Sequence, residues 1–351
     1  MFERSAAGRA DAAVRRARAW RLLSRRRWEP WRDCVVITAV NHAVLLAAAL
    51  TGVRGVGLVA MGALLSVGLA MGTLTVLHDA GHRMYSSRTW PNVLAVQVST
   101  PAGLWVGHWT LKHRVHHKLS QVYPLDEATR SSSLVRLHPA APSKPWQRGQ
   151  HLYAWLFYSL AWVGELRSQV RYLRDGQIAG TATPSGAARA RSFLVEKGLW
   201  LLVLAPYARL MGVEALVVLL VTAETLASLI AAVVLVVGHI NEGLEPTAEA
   251  PGAAWAAHVI RTTASFSLDS RAMRFLTGGL THHLAHHLRP MAVRSELPEL
   301  QETVVREAVL AAGVPQSVYA TFPQAVRGHC RRLRELGQPD PVLTPAAGSI
   351  A

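Results

Sequence analysis

Nine of the sixteen histidines in the 351-residue chain are arranged in a way that could bind metal ions. The segments HDAGH, HRVHH and HLAHH place imidazoles three or four residues apart, so on a helix they project from one face. One more histidine directly follows a long apolar segment, in VVGHINEG. The predicted metal ligands are His78, His82, His113, His116, His117, His239, His283, His286 and His287.

The number of these imidazoles indicates which metals they could hold. Imidazole is a ligand for zinc, copper, iron and nickel, whereas magnesium and calcium prefer oxygen ligands. A tetrahedral zinc site needs only three or four ligands. Nine imidazoles exceed that number and divide naturally between two six-coordinate ions with open positions. A nitrogen-rich site for two metals beside a membrane suits oxygen chemistry on an apolar substrate, but the spacing does not name the metal.

The other histidines have a simpler interpretation. Both His282 and His283 have another histidine four residues further along the chain. Only His283 repeats the HxxHH spacing of the second histidine segment, so we expect His282 to be a neighbour of the ligands. The remaining six have no partner at ligand spacing, and we expect them to be hydrogen-bonded packing residues. They are His42, His108, His138, His151, His258 and His329.

The elements that position these histidines are predicted to cross a membrane. Half of the residues are hydrophobic and only 17% are charged, against about 25% in soluble domains. Four apolar segments approach the length of about 20 residues that spans a bilayer. The predicted fold is an all-α integral membrane protein, with four transmembrane helices as two hairpins and a helical cytoplasmic cap that carries the metal site. The spans are residues 35–52, 56–77, 199–212 and 214–238, within a membrane domain of residues 35–320.

The distribution of basic residues predicts the orientation. Of the 37 Lys and Arg residues, 35 fall outside the two tight turns, on one side of the four-span arrangement. Because cytoplasmic loops carry the excess of basic residues, the Arg-rich segment 1–34, the middle loop 83–197 and the C-terminal region 240–351 are all predicted to be cytoplasmic. Residues 321–351 of that region are predicted to form a partly disordered tail. Both termini and the metal site would then face the cytoplasm, in a bacterial inner membrane.

Other features of the sequence complete this prediction. The apolar stretches 94–107 and 152–164 are too short to span and are expected to lie against the membrane surface. The tail beyond about Gln338 reads as disordered. No module typical of nucleic-acid binding accompanies the basic charge, so we expect membrane lipids and no nucleic acid as partners.

The histidine segments HDAGH, HRVHH and HHLAHHLRP, in this order around two helical hairpins, resemble those of the membrane fatty acid desaturases. The likeness covers roughly residues 35–320, and QHLYAWLFYSLAWVG is similar to the bacterial front-end, linoleoyl-CoA-desaturase-like branch. The resemblance implies two iron ions held by the nine histidines, O2 as co-substrate and a fatty acyl substrate linked to a lipid, CoA or a carrier protein. It also implies an external electron donor, either ferredoxin or cytochrome b5 with its reductase.

Some positions depart from the front-end pattern GGLNxQxxHHLFP in the third histidine segment. This chain has Thr281 where the pattern has Asn, His283 where it has Gln, and Arg289 where it has Phe. The His283 difference resembles other desaturase branches, so the position of the double bond does not transfer from the front-end group. In the family, the position of His282 holds an ordinary residue.

Carboxylates that bind metal-ligating histidines usually fix their tautomers. The candidates for this supporting role are Asp79, Asp126, Glu127 and Glu242, with His282 as a further neighbour of the ligands.

Two other functions remain open at this stage. Hydroxylation or another oxygenation would use the same site and would differ only in how the substrate is placed. A membrane metal-binding or transport protein is the second alternative. Transport predicts polar groups along the span interiors, whereas nearly all the histidines lie outside the predicted spans.

Overall fold

The computed structural model describes residues 8–15, 28–179 and 181–339. Residues 8–15 are helical and precede the first long helix. The named helices are α1 (Trp28–Thr51), α2 (Val56–Met71), α3 (Thr89–Ser99), α4 (Val106–Leu119), α5 (Gln150–Ser159), α6 (Ala161–Asp175), α7 (Gly186–Met211), α8 (Val213–Val236), α9 (Trp255–Thr262), α10 (Arg271–Leu276), α11 (His283–Leu288), α12 (Leu297–Leu300), α13 (Arg306–Ala312) and α14 (Phe322–Leu336).

Two antiparallel helical hairpins form the apolar part of the fold. The pair α1 and α2 is joined by the turn at residues 52–55, and α7 and α8 are joined at Gly212, whose φ is 89°. Within the described residues, three helices are long and apolar enough to cross a membrane: Trp28–Thr51, Val56–Gly81 and Val213–Val236. The predicted fourth span, 199–212, is the second half of α7, a longer helix that also carries Glu196, Lys197 and Arg209.

Close helix packing in this apolar part depends on glycine. A Cβ atom at Gly62 on α2 would lie 2.8 Å from Thr222 Cβ and 2.9 Å from the Leu219 carbonyl oxygen of α8. Small residues let apolar helices approach in this way. Leu65, Leu69, Leu219 and Ala223 are then fully buried between the helices. The arrangement sets the separation of α2 and α8, whose C-terminal ends lead to His78 and His239.

The end of α2 is distorted where it reaches the first histidines. Residues Gly72–Leu77 form a π-helix, and the helix continues through His78–Gly81. Wider turns of this kind often occur at functional sites, because they rotate the side chains that follow. The second predicted span therefore continues as helix beyond residue 77, through His78 to Gly81, and His82 directly follows its last residue.

The remaining elements form a cap over this end of the hairpins. It contains α4, α9 and α11 and a parallel pair of short strands, β1 (Ala264–Phe266) and β2 (Ser317–Tyr319). These strands are a small departure from the predicted all-α fold.

The described part of the C-terminal region is ordered as helix α14, which packs on α5 and α8 through Leu333 and Tyr158. Residues 340–351, most of the tail predicted to be disordered, lie outside the described residues.

Candidate metal centre

Five of the nine predicted ligands form one group at the end of α2. Their ligand nitrogens all lie within 4.8 Å of one another. The shortest contacts join Nε2 atoms: 2.9 Å from His113 to His82, 3.1 Å from His117 to His113, and 3.1 Å from His286 to His117. This group, called the five-histidine group below, consists of His78, His82, His113, His117 and His286.

Three more predicted ligands form a second group beside the first. The Nε2 atom of His239 lies 3.0 Å from that of His116 and 3.1 Å from that of His287. These residues are called the three-histidine group. The ninth histidine, His283, lies next to it, with its ring centroid 4.5 Å from that of His239 and 5.0 Å from that of His287. The rings of His117 and His287 stack at 4.3 Å, so the two groups share a boundary.

Hydrogen bonds orient two rings of the three-histidine group. Nδ1 of His116 donates to the carboxylate of Asp126 at 3.0 Å, and Nδ1 of His239 donates to the Thr262 carbonyl oxygen at 3.0 Å. With the proton on Nδ1, each Nε2 presents its lone pair to the centre of the group. Backbone N–H groups of Gln121 and Ala128 also donate to Asp126, which holds the carboxylate in place. A carboxylate–histidine pair of this kind is typical of metal sites.

The donor set fits metal ions. Several imidazole nitrogens converge at about 3 Å, and unprotonated lone pairs this close repel one another unless a cation lies between them. The shortest Nε2–Nε2 distances, 2.9 to 3.1 Å, are short enough for one ion to contact both imidazoles of a pair. Nothing in these contacts distinguishes iron from other metals that accept nitrogen ligands.

Burial favours the neutral form of several of these imidazoles, which is the form that binds metal. Mainly because of burial, the pKa of His82 is lowered to about 3 and that of His239 to about 3. Burial likewise holds the pKa of His117, His286 and His287 well below the usual value. Burial alone would raise the pKa of Asp126, but the interaction with His116 and the hydrogen bond from the Gln121 N–H together hold it below its usual value. The carboxylate therefore remains ionised.

Contacts between elements explain how separate segments meet at this site. In the GGLTHH segment, Gly278 and Gly279 both have positive φ, and a Cβ at Gly278 would lie 2.4 Å from the Leu74 carbonyl oxygen in the π-helix. Gly238 similarly lies against the ring of His283, leaving no room for a side chain. The N-terminus of α4 is held by Glu196 of α7, whose carboxylate accepts from the Val106 N–H at 2.7 Å.

The six histidines expected to be packing residues lie outside both groups. Five of them contact groups other than these imidazoles: His42 contacts Tyr207, His108 contacts Glu165, His138 contacts the Gln121 carbonyl, His258 contacts the Ser120 carbonyl and His329 contacts Tyr158. Nδ1 of His151 has no hydrogen-bond partner among the described residues. His282 also lies outside both groups, with its Nδ1 2.9 Å from the Thr281 hydroxyl.

Of the predicted supporting carboxylates, only Asp126 has a hydrogen bond to a ligand imidazole among the described contacts. Glu242 requires a correction, because its carboxylate pairs with Arg331 of α14 on the surface. The charge of Asp79 interacts with those of Asp33, Arg294 and Glu29, which form ion pairs of their own. Glu127 lines a separate cavity beside α6.

Some functional contacts were missed by the sequence analysis. Gln121 has a positive φ of 55°, and its amide donates to the carbonyl oxygens of His239 and Thr262. Trp109 stacks on His113, with ring centroids 4.3 Å apart. The position of Trp109 four residues before His113 on α4 is the only local signal for either contact.

Comparisons with known proteins agree with this geometry. A profile of the fatty acid desaturase family matches residues 56–320. The sn-1 linoleoyl-lipid 6-desaturase of Synechocystis sp. is 28% identical over 78% of this chain and 79% of its own. The enzyme of the same name from Arthrospira platensis is 24% identical over 78% of this chain and 76% of its own. An acyl-lipid (8-3)-desaturase of Physcomitrium patens is 24% identical over 75% of this chain and 57% of its own.

The family match covers most of the chain and includes all three histidine segments and His239. Together with the named relatives, it makes the protein an oxidoreductase. The chain belongs to the fatty acid desaturase family.

Proposed function

We propose that this protein desaturates the acyl chain of a membrane lipid, using O2 at two iron ions held by the nine histidines. The observation that carries the proposal is the pair of adjacent imidazole groups, five and three in number, with His283 beside the smaller one. The relatives named as acyl-lipid desaturases support a lipid-linked substrate. The all-nitrogen donor set supports iron but does not require it.

The proposed reaction converts a –CH2–CH2– unit, O2, two electrons and two protons into –CH=CH– and two molecules of water. A methylene C–H bond has no acidic proton, so acid–base chemistry by side chains cannot break it. When bound, the two iron ions supply the O2-dependent oxidation. The protein holds and orients the ligand imidazoles, with the proton of His116 and of His239 kept on Nδ1 by Asp126 and the Thr262 carbonyl.

We further propose four membrane crossings. Helices α2 and α8 pack at Gly62 and Thr222, and the C-terminal ends of both lead into the metal centre. The two helices therefore run parallel, and α8 has to begin on the opposite side of the membrane. Since α7 precedes α8 with only Gly212 between them, α7 is the element that carries the chain across. Its second half then forms the fourth span despite Arg209.

The side of the membrane follows from the positive-inside rule. We propose that both termini and the metal centre face the cytoplasm of a bacterial inner membrane. Helices α5 and α6 would lie at the lipid surface beside the centre. Leu152, Leu156, Leu160 and Val163 form an exposed apolar stripe along them, followed by exposed Arg167 and Arg171. Apolar residues flanked by arginines are typical of interfacial helices.

Lipid analysis tests the proposed function. The wild-type protein, expressed in a bacterial host with a ferredoxin system, is expected to yield lipids with one additional double bond, detected by mass spectrometry. The His286→Ala variant, which loses a residue of the five-histidine group, is expected to yield none. The matched control His258→Ala changes a buried histidine outside both groups and should retain the product. An added oxygen in place of a double bond would instead identify a hydroxylase.

A further inference from the structure

A cavity of about 520 Å³ reaches the metal centre from the surface of the cap. Three of the nine predicted ligands line it: His82, His117 and His287. The cavity wall thus includes imidazoles from both histidine groups. His82 also retains partial exposure, whereas the ligands of the three-histidine group are buried. This opening brings a molecule at the surface close to the metal centre.

The mouth of this cavity is positively charged. Arg114 and Lys118 lie one turn apart on α4, on the helix that also carries His113 and His117. Arg15 approaches from the helical segment 8–15, and Arg83 directly follows His82, which lines the cavity. All four side chains are exposed. They are called the basic mouth below.

These cations form no ion pair with any carboxylate in the part of the chain that the structure describes. Some other exposed arginines, in contrast, are paired, such as Arg174 with Asp175 and Arg331 with Glu242. The one acid that lines the cavity, Asp11, accepts a hydrogen bond from the Ala256 N–H at 2.7 Å, at the start of α9. A cluster of like charges without partners attracts an anionic surface and speeds its approach.

The chemistry of the surroundings favours a protein over a lipid surface. None of the described residues lining the cavity is a large apolar side chain that is exposed. The arginines of α6, by contrast, follow the apolar stripe that begins at Leu152, as expected for a helix lying on lipid. The basic mouth therefore differs from the part of the surface that suits the membrane.

We propose that the basic mouth is the docking surface for an acidic electron-transfer protein, which delivers electrons past His82 and His117. This inference rests on the proposed function, because each turnover needs two electrons from outside. Electron transfer slows steeply with distance, so a donor has to dock where the centre lies nearest to the surface. Complementary charge then sets the rate of association and the orientation of the donor.

A charge-reversal experiment tests this proposal. The double variant Arg114→Glu/Lys118→Glu is compared with Arg327→Glu/Arg334→Glu, which makes the same change in charge on exposed positions of α14. Binding of an acidic [2Fe–2S] ferredoxin to the full-length protein in detergent is measured by biolayer interferometry, at low and at high salt. The first variant is expected to weaken binding by about tenfold or more and to reduce its salt dependence. The control should bind like the wild type.

The kinetic readouts separate this proposal from its rivals. With ferredoxin as reductant, the first variant should show a raised KM for ferredoxin and an unchanged KM for the acyl lipid. Unchanged ferredoxin affinity would overturn the proposal. So would a raised KM for the acyl lipid alone, or a selective loss of binding to phosphatidylglycerol vesicles. Binding does not depend on turnover, so a wild-type protein that binds ferredoxin but makes no double bond would contradict the proposed reaction rather than the docking surface.

Discussion

At the residue scale, two adjacent histidines at the start of α11 have different proposed roles. His283 is a metal ligand, whereas His282 is only a neighbour of the ligands. The ring of His283 lies against His239 and His287 of the three-histidine group, whereas Nδ1 of His282 contacts the Thr281 hydroxyl. We expect His283→Ala to lose bound metal and at least about 100-fold in activity, since direct ligands matter more than the residues supporting them. His282→Ala should keep its metal. Metal analysis of both purified variants checks this, and equal losses would contradict the assignment.

Asp126 offers a second comparison at this scale. Its carboxylate accepts a hydrogen bond from Nδ1 of His116. The carboxylate of Glu165 makes the equivalent contact, 2.9 Å from Nδ1 of His108, but His108 lies outside both histidine groups. Asp126→Asn is expected to lower metal affinity or activity by about 10- to 100-fold. Glu165→Gln makes the equivalent change and should leave metal affinity near the wild-type value. Titration with chelator measures both, and a larger loss in the Glu165 variant would count against the role of Asp126.

Clusters of histidines are easier to predict from a sequence than the residues that support them, for a physical reason. Ligands spaced by three or four residues on one helix are a local pattern, so His113, His116 and His117 can be read from the chain. The partner of Glu242 is 89 residues away, and only the tertiary fold shows that it is Arg331. Gln121 was missed for the same reason, since its role depends on contacts with residues 239 and 262.

Among the elements, the turn before α11 and the π-helix at the end of α2 depend on each other. Gly278→Ala would place a Cβ against the Leu74 carbonyl, whereas Gly313, which has nearly the same φ, has open space around it. Both alanine variants should lose about 1 kcal/mol of stability because of positive φ, and the clash with the Leu74 carbonyl should cost Gly278→Ala about 1–3 kcal/mol more. Only Gly278→Ala should also lose bound metal. Thermal unfolding and metal content are measured together, and full metal retention in Gly278→Ala would contradict the proposed coupling.

The contact between α2 and α8 gives another prediction for the elements. Gly62→Ala crowds Thr222 and Leu219, whereas Gly198→Ala on α7 has no atom within 4 Å of the added carbon. We expect Gly62→Ala to be destabilised by about 1–3 kcal/mol through overpacking. Gly198→Ala should be neutral or slightly stabilised, because alanine favours helix. Thermal unfolding in detergent compares them, and an equal midpoint for both would mean that the helices separate readily.

The bounds of the elements were less predictable than their existence. Apolar length alone gave the two hairpins, but α1 begins at Trp28 rather than at residue 35 and includes Glu29 and Asp33. Those acids are buried because Arg294, from the far end of the chain, pairs with both. The π-helix likewise has no local signal in the apolar sequence around Gly72, since it depends on packing against the turn at Gly278.

For the whole molecule, the central question is the membrane topology. With Cys34 and Cys330 first replaced, we expect Val213→Cys, at the turn between α7 and α8, to react with a membrane-impermeant maleimide from outside the cell. Trp146→Cys, in the cap, should react only after permeabilisation. Both native side chains are exposed. Labelling of both positions from the same side would contradict the four crossings.

The metal content of the purified wild-type protein tests the central claim most directly. The two adjacent imidazole groups, in a member of the fatty acid desaturase family, lead us to expect two iron ions per chain, measured by inductively coupled plasma mass spectrometry on protein purified without added metal. The His286→Ala variant should then contain clearly less iron. A single bound ion per chain, or zinc in place of iron, would contradict the account.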